Sequence, residues 1–319
     1  MDKLCNFDIV INTCLANIDT QATASQFNKN DFLLSVINGF EDGKWRDKTF
    51  HQFMMDNISQ TGLSAKERDD LYDSDRSWTS ITESLKNLRL VDKDNGKGSE
   101  IAEIVLYGIM RHHYHALPVV PKIFYKQNPN DTVKGADSVH IVIEDGNEFS
   151  LWLGEAKFYN EITDTRLYDP INSIFDTIDS EKIKKENSII TDLSDIEHLI
   201  KETGLRRKIL DTLHRDSSID EIKKRLHVPI LLLHECPKTQ KATKLTNEYI
   251  TEIKNHHIER AVRYFTLQNS KQIQNDTTKE TKTPGYEHIQ FHLILFPVPN
   301  KEKIVNWFIS QATQLRENA

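Results

Sequence analysis

The chain is poor in cysteine and in long apolar runs. Its 319 residues include 3 cysteines, Cys5, Cys14 and Cys236, and none of them forms a CxxC spacing. This pattern predicts neither a disulfide framework nor a thiolate zinc site. The longest apolar stretches, such as VPILLLHECP and HLILFPVP, fall well short of the roughly 20 residues that a membrane helix needs. We therefore expect a soluble globular protein with no membrane span.

The chain also has fewer basic than acidic residues. The 41 basic and 48 acidic side chains give a formal charge of -7, which is the wrong sign for a protein that coats nucleic acid unaided. Any contact with nucleic acid is therefore expected to be local or assisted by a partner. At the N-terminus, Asp8 interrupts the stretch where a signal peptide would be apolar, and Lys3 is the only basic residue before it. We expect a cytoplasmic protein.

The hydrophobic pattern divides the chain into two parts. Residues 1–95 carry mainly helix signals, including a capping box in SAKE and helical spacing in RSWTSITESLKNLRLV. The stretch VDKDNGKGS, residues 91–99, has the composition of a loop. We place a domain boundary there. Residues 1–95 then form a mainly helical extension, either for partner docking or as part of the same fold, and residues 96–319 form a second domain.

The second part predicts an α/β fold with a mixed central sheet flanked by helices. SEIAEIVLYGIM predicts a helix, and VVPKIFYKQ, ADSVHIVIE and EFSLWLGEAKFY predict three strands. Helical patterns then cover residues 170–226. The remaining signals are the strand VPILLLHE, an amphipathic helix from LTNEYITEIK, a polar loop over 269–285, the strand HIQFHLILFPVP and a final helix.

Two of these strands predict a hairpin with a defined register. Residues 145–147, DGN, suit a three-residue turn, because Gly and Asn adopt positive φ readily. If Glu144 pairs with Glu148, the apolar residues of both strands share a face, whereas a shift of one residue would separate them. The same register sets Asp137 opposite Glu155, roughly 5 Å apart at Cβ.

The opposed carboxylates predict a metal site. Carboxylates this close repel, and one takes up a proton unless a cation neutralises both. Asp137 and Glu155, with a backbone carbonyl such as that of Ala156, suit Mg²⁺ or Mn²⁺. Lys157 follows on the same face, where its ammonium can orient a water or stabilise charge on phosphorus. The chemistry indicated is phosphodiester hydrolysis. The alternative is a salt bridge between Glu155 and Lys157 with no catalytic role.

This pattern resembles a known nuclease signature. Asp137, a gap of 17 residues, and then Glu155, Ala156 and Lys157 resemble the motif of the PD-(D/E)XK superfamily, with Ala156 as the X. The resemblance implies a restriction-endonuclease-like core. It also implies a glutamate on the helix before the hairpin, a place that Glu103 fills.

Two features of the motif are less regular. Gly135 and Ala136 precede Asp137, so the proline of the signature is absent. A glutamate beside an apolar helix stripe is often exposed, and Glu100, one turn earlier, is the substitute if Glu103 does not face the site.

A narrower resemblance covers about residues 98–160. EIAEIVLYGIM, KGADSVH and WLGEAKFY are similar to segments of the HamA family, the nuclease subunits of the Hachiman anti-phage defence system. The resemblance implies a DNA-cleaving subunit that works with a superfamily 2 helicase, a HamB-like partner, which restrains or directs it until infection is sensed. The first hypothesis is thus a Mg²⁺-dependent DNA nuclease. The alternatives are a non-catalytic subunit that regulates a helicase or nucleic acid, and a nuclease directed at RNA.

Overall fold

One mixed sheet of eight strands runs through the molecule, in the order β1-β2-β3-β10-β9-β8-β7-β6, and β4 and β5 form a separate ribbon. The computed structural model describes residues 2–18, 29–88, 98–125, 135–192, 195–278 and 284–317. The strands are β1 (Asp2–Leu4), β2 (Phe7–Cys14), β3 (Asp31–Ile37), β4 (Phe40–Glu41), β5 (Lys44–Trp45), β6 (Leu117–Val120), β7 (Ser138–Glu144), β8 (Glu148–Tyr159), β9 (Leu226–Glu235) and β10 (Gln290–Val298).

Helices cover both faces of this sheet. They are α1 (Asp47–Asn57), α2 (Ser59–Gly62), α3 (Ala65–Asp73), α4 (Ser77–Lys86), α5 (Ser99–His113), α6 (Lys122–Tyr125), α7 (Asp164–Thr177), α8 (Ser180–Asp192), α9 (Asp195–Leu199), α10 (Thr203–Thr212), α11 (Ile219–Lys223), α12 (Pro237–Lys241), α13 (Asn247–Thr278) and α14 (Lys301–Glu317). No described helix has both the length and the apolar content that a membrane crossing requires.

The four central strands, β3, β10, β9 and β8, are parallel, and antiparallel pairs extend the sheet at both edges. Their side chains are buried on both faces, which suits the near-continuous apolar runs of β9 and β10. One core contains side chains of α1, α5 and α14, and the other contains side chains of α7 and α13. The predicted α/β fold, with a mixed sheet between helices, is confirmed.

The prediction of a mainly helical N-terminal part is wrong for residues 2–14 and 31–37. Strands β1 to β3 lie there, and β3 pairs in parallel with β10. FDIVINTC and DFLLSVI are short apolar runs buried on both faces, and periodicity alone does not distinguish such runs from helices. Helices α1 to α4 follow, as expected. The predicted domain boundary falls largely on residues 89–97, which lie outside the described residues, and the chain on both sides of it contributes strands to one sheet.

Two element bounds also differ from expectation. The strand predicted from VVPKIFYKQ stops at Val120, because Pro121 cannot donate to a ladder, and the short helix α6 follows. The polar loop predicted over 269–285 is helical as far as Thr278, and residues 279–283 lie outside the described part. Helix extension is favourable once a helix has been nucleated, and the buried Tyr264 and Phe265 anchor α13 upstream.

Helix α5 lies close to α1 because of a glycine. A Cβ placed on Gly108 would lie 2.5 Å from Cζ of the buried Phe53, so glycine at this position lets the two helices approach. This contact fixes the position of α5, the helix that carries Glu103, against the rest of the fold.

We expect Gly108→Val to lower the free energy of unfolding by about 1–3 kcal/mol, because the added side chain overpacks the contact with Phe53. Urea denaturation measures the change. Gly39→Val is the matched control, since a Cβ there meets its nearest neighbour, Cδ of Arg46, at an ordinary 3.5 Å. We expect the control to change stability by about 0.5 kcal/mol or less. Equal losses in both variants would contradict the proposed close contact.

Candidate active site

The hairpin of β7 and β8 has the predicted register. Glu144 pairs with Glu148, and Ser138 pairs with Gly154 at the far end. The turn over 145–147 has φ values of +70° at Gly146 and +59° at Asn147, as a tight turn requires. Just before β7, the amide of Asp137 donates to the carbonyl oxygen of Gly154 at 2.8 Å.

Asp137 therefore lies opposite Glu155, at the point where the pairing of β7 with β8 ends. Strand β7 begins at Ser138, whereas β8 continues to Tyr159 with β9 as its neighbour on the other side. The amide of Ala156 donates to Oδ2 of Asp137 at 3.1 Å. The carboxylate thus takes the place of a backbone acceptor where the β7 ladder ends.

Lys157 joins the two carboxylates into one charged cluster. Its Nζ forms an ion pair with Oε1 of Glu155 and lies 4.0 Å from Oδ2 of Asp137. The side chain of Glu155 is 4% exposed, whereas that of Lys157 is 32% exposed. The cluster therefore extends from the protein interior to a surface that a large substrate can reach.

Burial and mutual repulsion set the protonation of this cluster. Burial, and then the charge of Asp137, raise the pKa of Glu155, although Lys157 and a hydrogen bond with Ser173 oppose the shift. Burial alone would lower the pKa of Lys157, but the charges of Glu155 and Asp137 outweigh it and raise that pKa. The fold thus concentrates negative charge beside one ammonium group, and a further cation would relieve the repulsion.

Glu103 faces the same region from helix α5. It is 5% exposed, and its charge adds to the rise in the pKa of Lys157. Among the described residues, however, no three Asp, Glu, His or Cys side chains are arranged as a metal-binding group. The structure therefore brings Asp137, Glu155 and Lys157 together and places Glu103 within electrostatic range of them. Glu100 lies in the first turn of the helix and is partly exposed.

Polar side chains from other elements also lie near Glu155, and most of them could not be placed there from the sequence. Ser173 on α7 shares a hydrogen bond with Glu155. The hydroxyl groups of Tyr159 and Tyr264 are buried and have no hydrogen-bond partner among the described residues. Tyr159 continues the face of Glu155 and Lys157, as the alternation of β8 predicts, whereas Ser173 and Tyr264 come from distant helices.

The family of the chain follows from a comparison with family models. A model described as HamA matches residues 10–312. The chain belongs to the HamA family. The region matched to HamA begins within β2 and ends within α14, so it includes the N-terminal strands as well as the charged hairpin. A comparison with curated proteins finds no match.

The raised pKa of Glu155 predicts a pH-dependent effect of Glu155→Gln. A carboxyl whose pKa is raised on folding favours the folded state below its ordinary pKa of 4.5, and loses that contribution as the pH rises through the folded pKa. Glutamine resembles the neutral form. We therefore expect the variant to unfold at a higher temperature than wild type at pH 8, with a gap that narrows as the pH falls toward 4.5.

Differential scanning calorimetry between pH 4.5 and pH 8 measures this gap. Glu144→Gln, at the exposed end of β7, is the control and is expected to show no such trend. A lower unfolding temperature for Glu155→Gln at pH 8 would mean that the ion pair with Lys157 outweighs the burial of the charge.

Proposed function

We propose that this HamA-family protein is a metal-dependent nuclease with a PD-(D/E)XK core, and that it hydrolyses phosphodiester bonds in DNA. The observation that carries the proposal is the hairpin register, which sets Asp137 against Glu155 where the pairing of β7 with β8 ends, in ionic contact with Lys157. Membership of the HamA family points in the same direction, toward a subunit of the Hachiman anti-phage defence system.

The donor set fits a hard divalent cation. Mg²⁺ and Mn²⁺ prefer carboxylate and carbonyl oxygens and keep several waters in their coordination shell. Asp137 and Glu155, with the backbone carbonyl of Ala156, would hold the ion, which would relieve the repulsion between the two carboxylates that helps to raise the pKa of Glu155. When bound, such an ion polarises a phosphate oxygen and lowers the pKa of a bound water.

Lys157 supplies positive charge at the solvent end of the cluster. Its Nζ is partly exposed and pairs with Glu155. In the proposed reaction the ammonium stabilises negative charge on the phosphate or orients the attacking water. Its raised pKa keeps it protonated at neutral pH, so it acts as a fixed cation and does not serve as a base.

Glu103 is proposed as an auxiliary group. Its carboxylate is buried on α5 and lies within electrostatic range of Lys157. The described residues contain no three-ligand group, so we assign Glu103 to orienting water or to the outer coordination shell.

A partner is part of the proposal. A formal charge of -7 disfavours unaided binding along DNA, and a superfamily 2 helicase of the HamB type would bring the substrate to the site. The second candidate is a non-catalytic subunit that regulates a helicase or nucleic acid. The lack of a third ligand among the described residues favours that candidate, whereas the contact of Lys157 with both carboxylates favours the nuclease.

Cleavage of plasmid and linear DNA tests the proposal. We expect the wild-type protein, alone or with its helicase partner and ATP, to cut only with Mg²⁺ or Mn²⁺. Glu155→Ala and Lys157→Ala are expected to lose about 100-fold or more in rate, because each removes a group that acts in the transition state. Glu103→Gln is expected to lose less, as a group acting indirectly.

The matched control is Glu144→Gln, a carboxylate on the same hairpin at its exposed end, which should cut as wild type does. Circular dichroism checks that each variant is folded. Metal-independent cutting, or no cutting by wild type even with partner and ATP, would contradict the nuclease and leave the regulatory subunit. Cutting of RNA in preference to DNA, with dependence on the 2′-hydroxyl, would instead support the RNA-directed alternative.

A further inference from the structure

A buried ion pair lies directly behind the segment that leads into Asp137. Nζ of Lys122 lies 2.9 Å from Oε1 and 2.7 Å from Oε2 of Glu186. The two residues are 0% and 2% exposed, and they belong to different elements, α6 and α8.

Glu186 also contacts the backbone next to the candidate site. Its Oε1 accepts a hydrogen bond from the amide of Ala136 at 3.2 Å. A Cβ placed on Gly135 would lie 1.9 Å from the same oxygen, so the close approach of Glu186 depends on glycine at this position. The carboxylate therefore holds the backbone one residue before Asp137.

Three hydrogen bonds fix the position of Asp137, two through backbone amides and one through its own carboxylate. The amide of Ala136 donates to Glu186, the amide of Asp137 donates to Gly154, and the Asp137 carboxylate accepts from Ala156. The last two contacts come from the hairpin itself. Glu186 adds a contact from outside the hairpin, on the side where β7 has not yet begun.

The same ion pair is linked to the helix of Glu103. The amide of Lys122 donates to the hydroxyl of Tyr107 at 3.3 Å, and that hydroxyl donates to the carbonyl of Val120 at 2.7 Å. Tyr107 lies one turn after Glu103 on α5, so the two side chains share one side of that helix. A single polar network therefore connects the elements that carry Glu103 and Asp137.

Stability alone is a weak explanation for such a pair. Removing two charges from water costs several kcal/mol per ion, and well-packed apolar side chains of similar volume are often as stabilising. What an apolar pair lacks is the acceptor for the Ala136 amide, which is therefore the feature that distinguishes this arrangement.

We propose that Glu186, whose side chain pairs with Lys122, is a positioning residue: its side-chain oxygen on the Ala136 amide holds Asp137 in the geometry that the metal-binding hairpin needs. The inference rests on the proposed function of the Asp137 and Glu155 site. Neither residue is expected to touch substrate, since both are buried.

Two double variants of the full chain separate positioning from stability. Lys122→Met with Glu186→Gln removes both charges but keeps a carbonyl oxygen for the Ala136 amide. Lys122→Met with Glu186→Leu removes the charges and that acceptor together. The pair therefore differs in one hydrogen bond, and neither variant leaves a charge at position 122 or 186 without its partner.

The measurements are amide hydrogen exchange at residues 136–137, the shift in unfolding temperature on titration with Ca²⁺, and the Mg²⁺ concentration for half-maximal DNA cleavage. We expect the Gln variant to match wild type. We expect the Leu variant to lose exchange protection at residues 136–137, and to need about tenfold or more metal in both titrations, as is typical when a supporting contact of a metal ligand is lost. Its unfolding temperature without metal should stay close to that of the Gln variant.

Equal exchange protection and equal metal midpoints in the two double variants would overturn the inference. If wild type neither responds to metal nor cuts DNA, the proposed function fails, and the exchange comparison still decides whether Glu186 positions the Asp137 backbone. If the Leu variant does not fold, Lys122→Met with Glu186→Met, which also lacks the acceptor, takes its place in the same comparison.

Discussion

The candidate site depends on the backbone pairing of β7 with β8. The hydrogen bond from the Asp137 amide to Gly154 is the last of that ladder on the described chain, and it is placed where β8 continues alone beside β9. One step further, a side chain accepts from the β8 backbone in place of a strand. A shift of one residue would move Asp137 away from Glu155 and turn the apolar side chains of β7 out of the core. The cost of exposing those side chains therefore also protects the geometry of the charged cluster.

In the charged cluster, the repulsion between Asp137 and Glu155 opposes their attraction to Lys157. Two carboxylates share a mostly buried position, and the ammonium group of Lys157 lies between them and solvent. Burial raises the pKa of Glu155, while the two carboxylates raise the pKa of Lys157. A divalent cation would neutralise both carboxylates. This electrostatic balance connects the fold to the proposed use of such a cation.

Sequence patterns predict the hairpin well because its information is local. A period of two, a Gly-Asn turn and matching apolar residues select one register, and with it the encounter of Asp137 and Glu155. Strands β2 and β3 are not predicted from the sequence, because most of their side chains are buried on both faces and show no alternation. The pairing of Lys122 with Glu186 is not predictable from the sequence for another reason. The two residues are 64 positions apart, and no periodicity relates them. Ser173 and Tyr264 reach the site from helices whose sequences show only an apolar stripe.

The order of strands in the sheet has a consequence for biosynthesis. Strand β3 pairs with β10, so that Asp31 lies beside Phe291, and β10 is also the parallel neighbour of β9. The centre of the sheet therefore cannot close until β10 has left the ribosome, and folding must wait for contacts of high sequence separation. A nascent chain that already contains Asp137, Glu155 and Lys157 still lacks the strands that support them. For a protein whose proposed activity is to cut DNA, the topology delays completion of the sheet around the site until β10 has been translated.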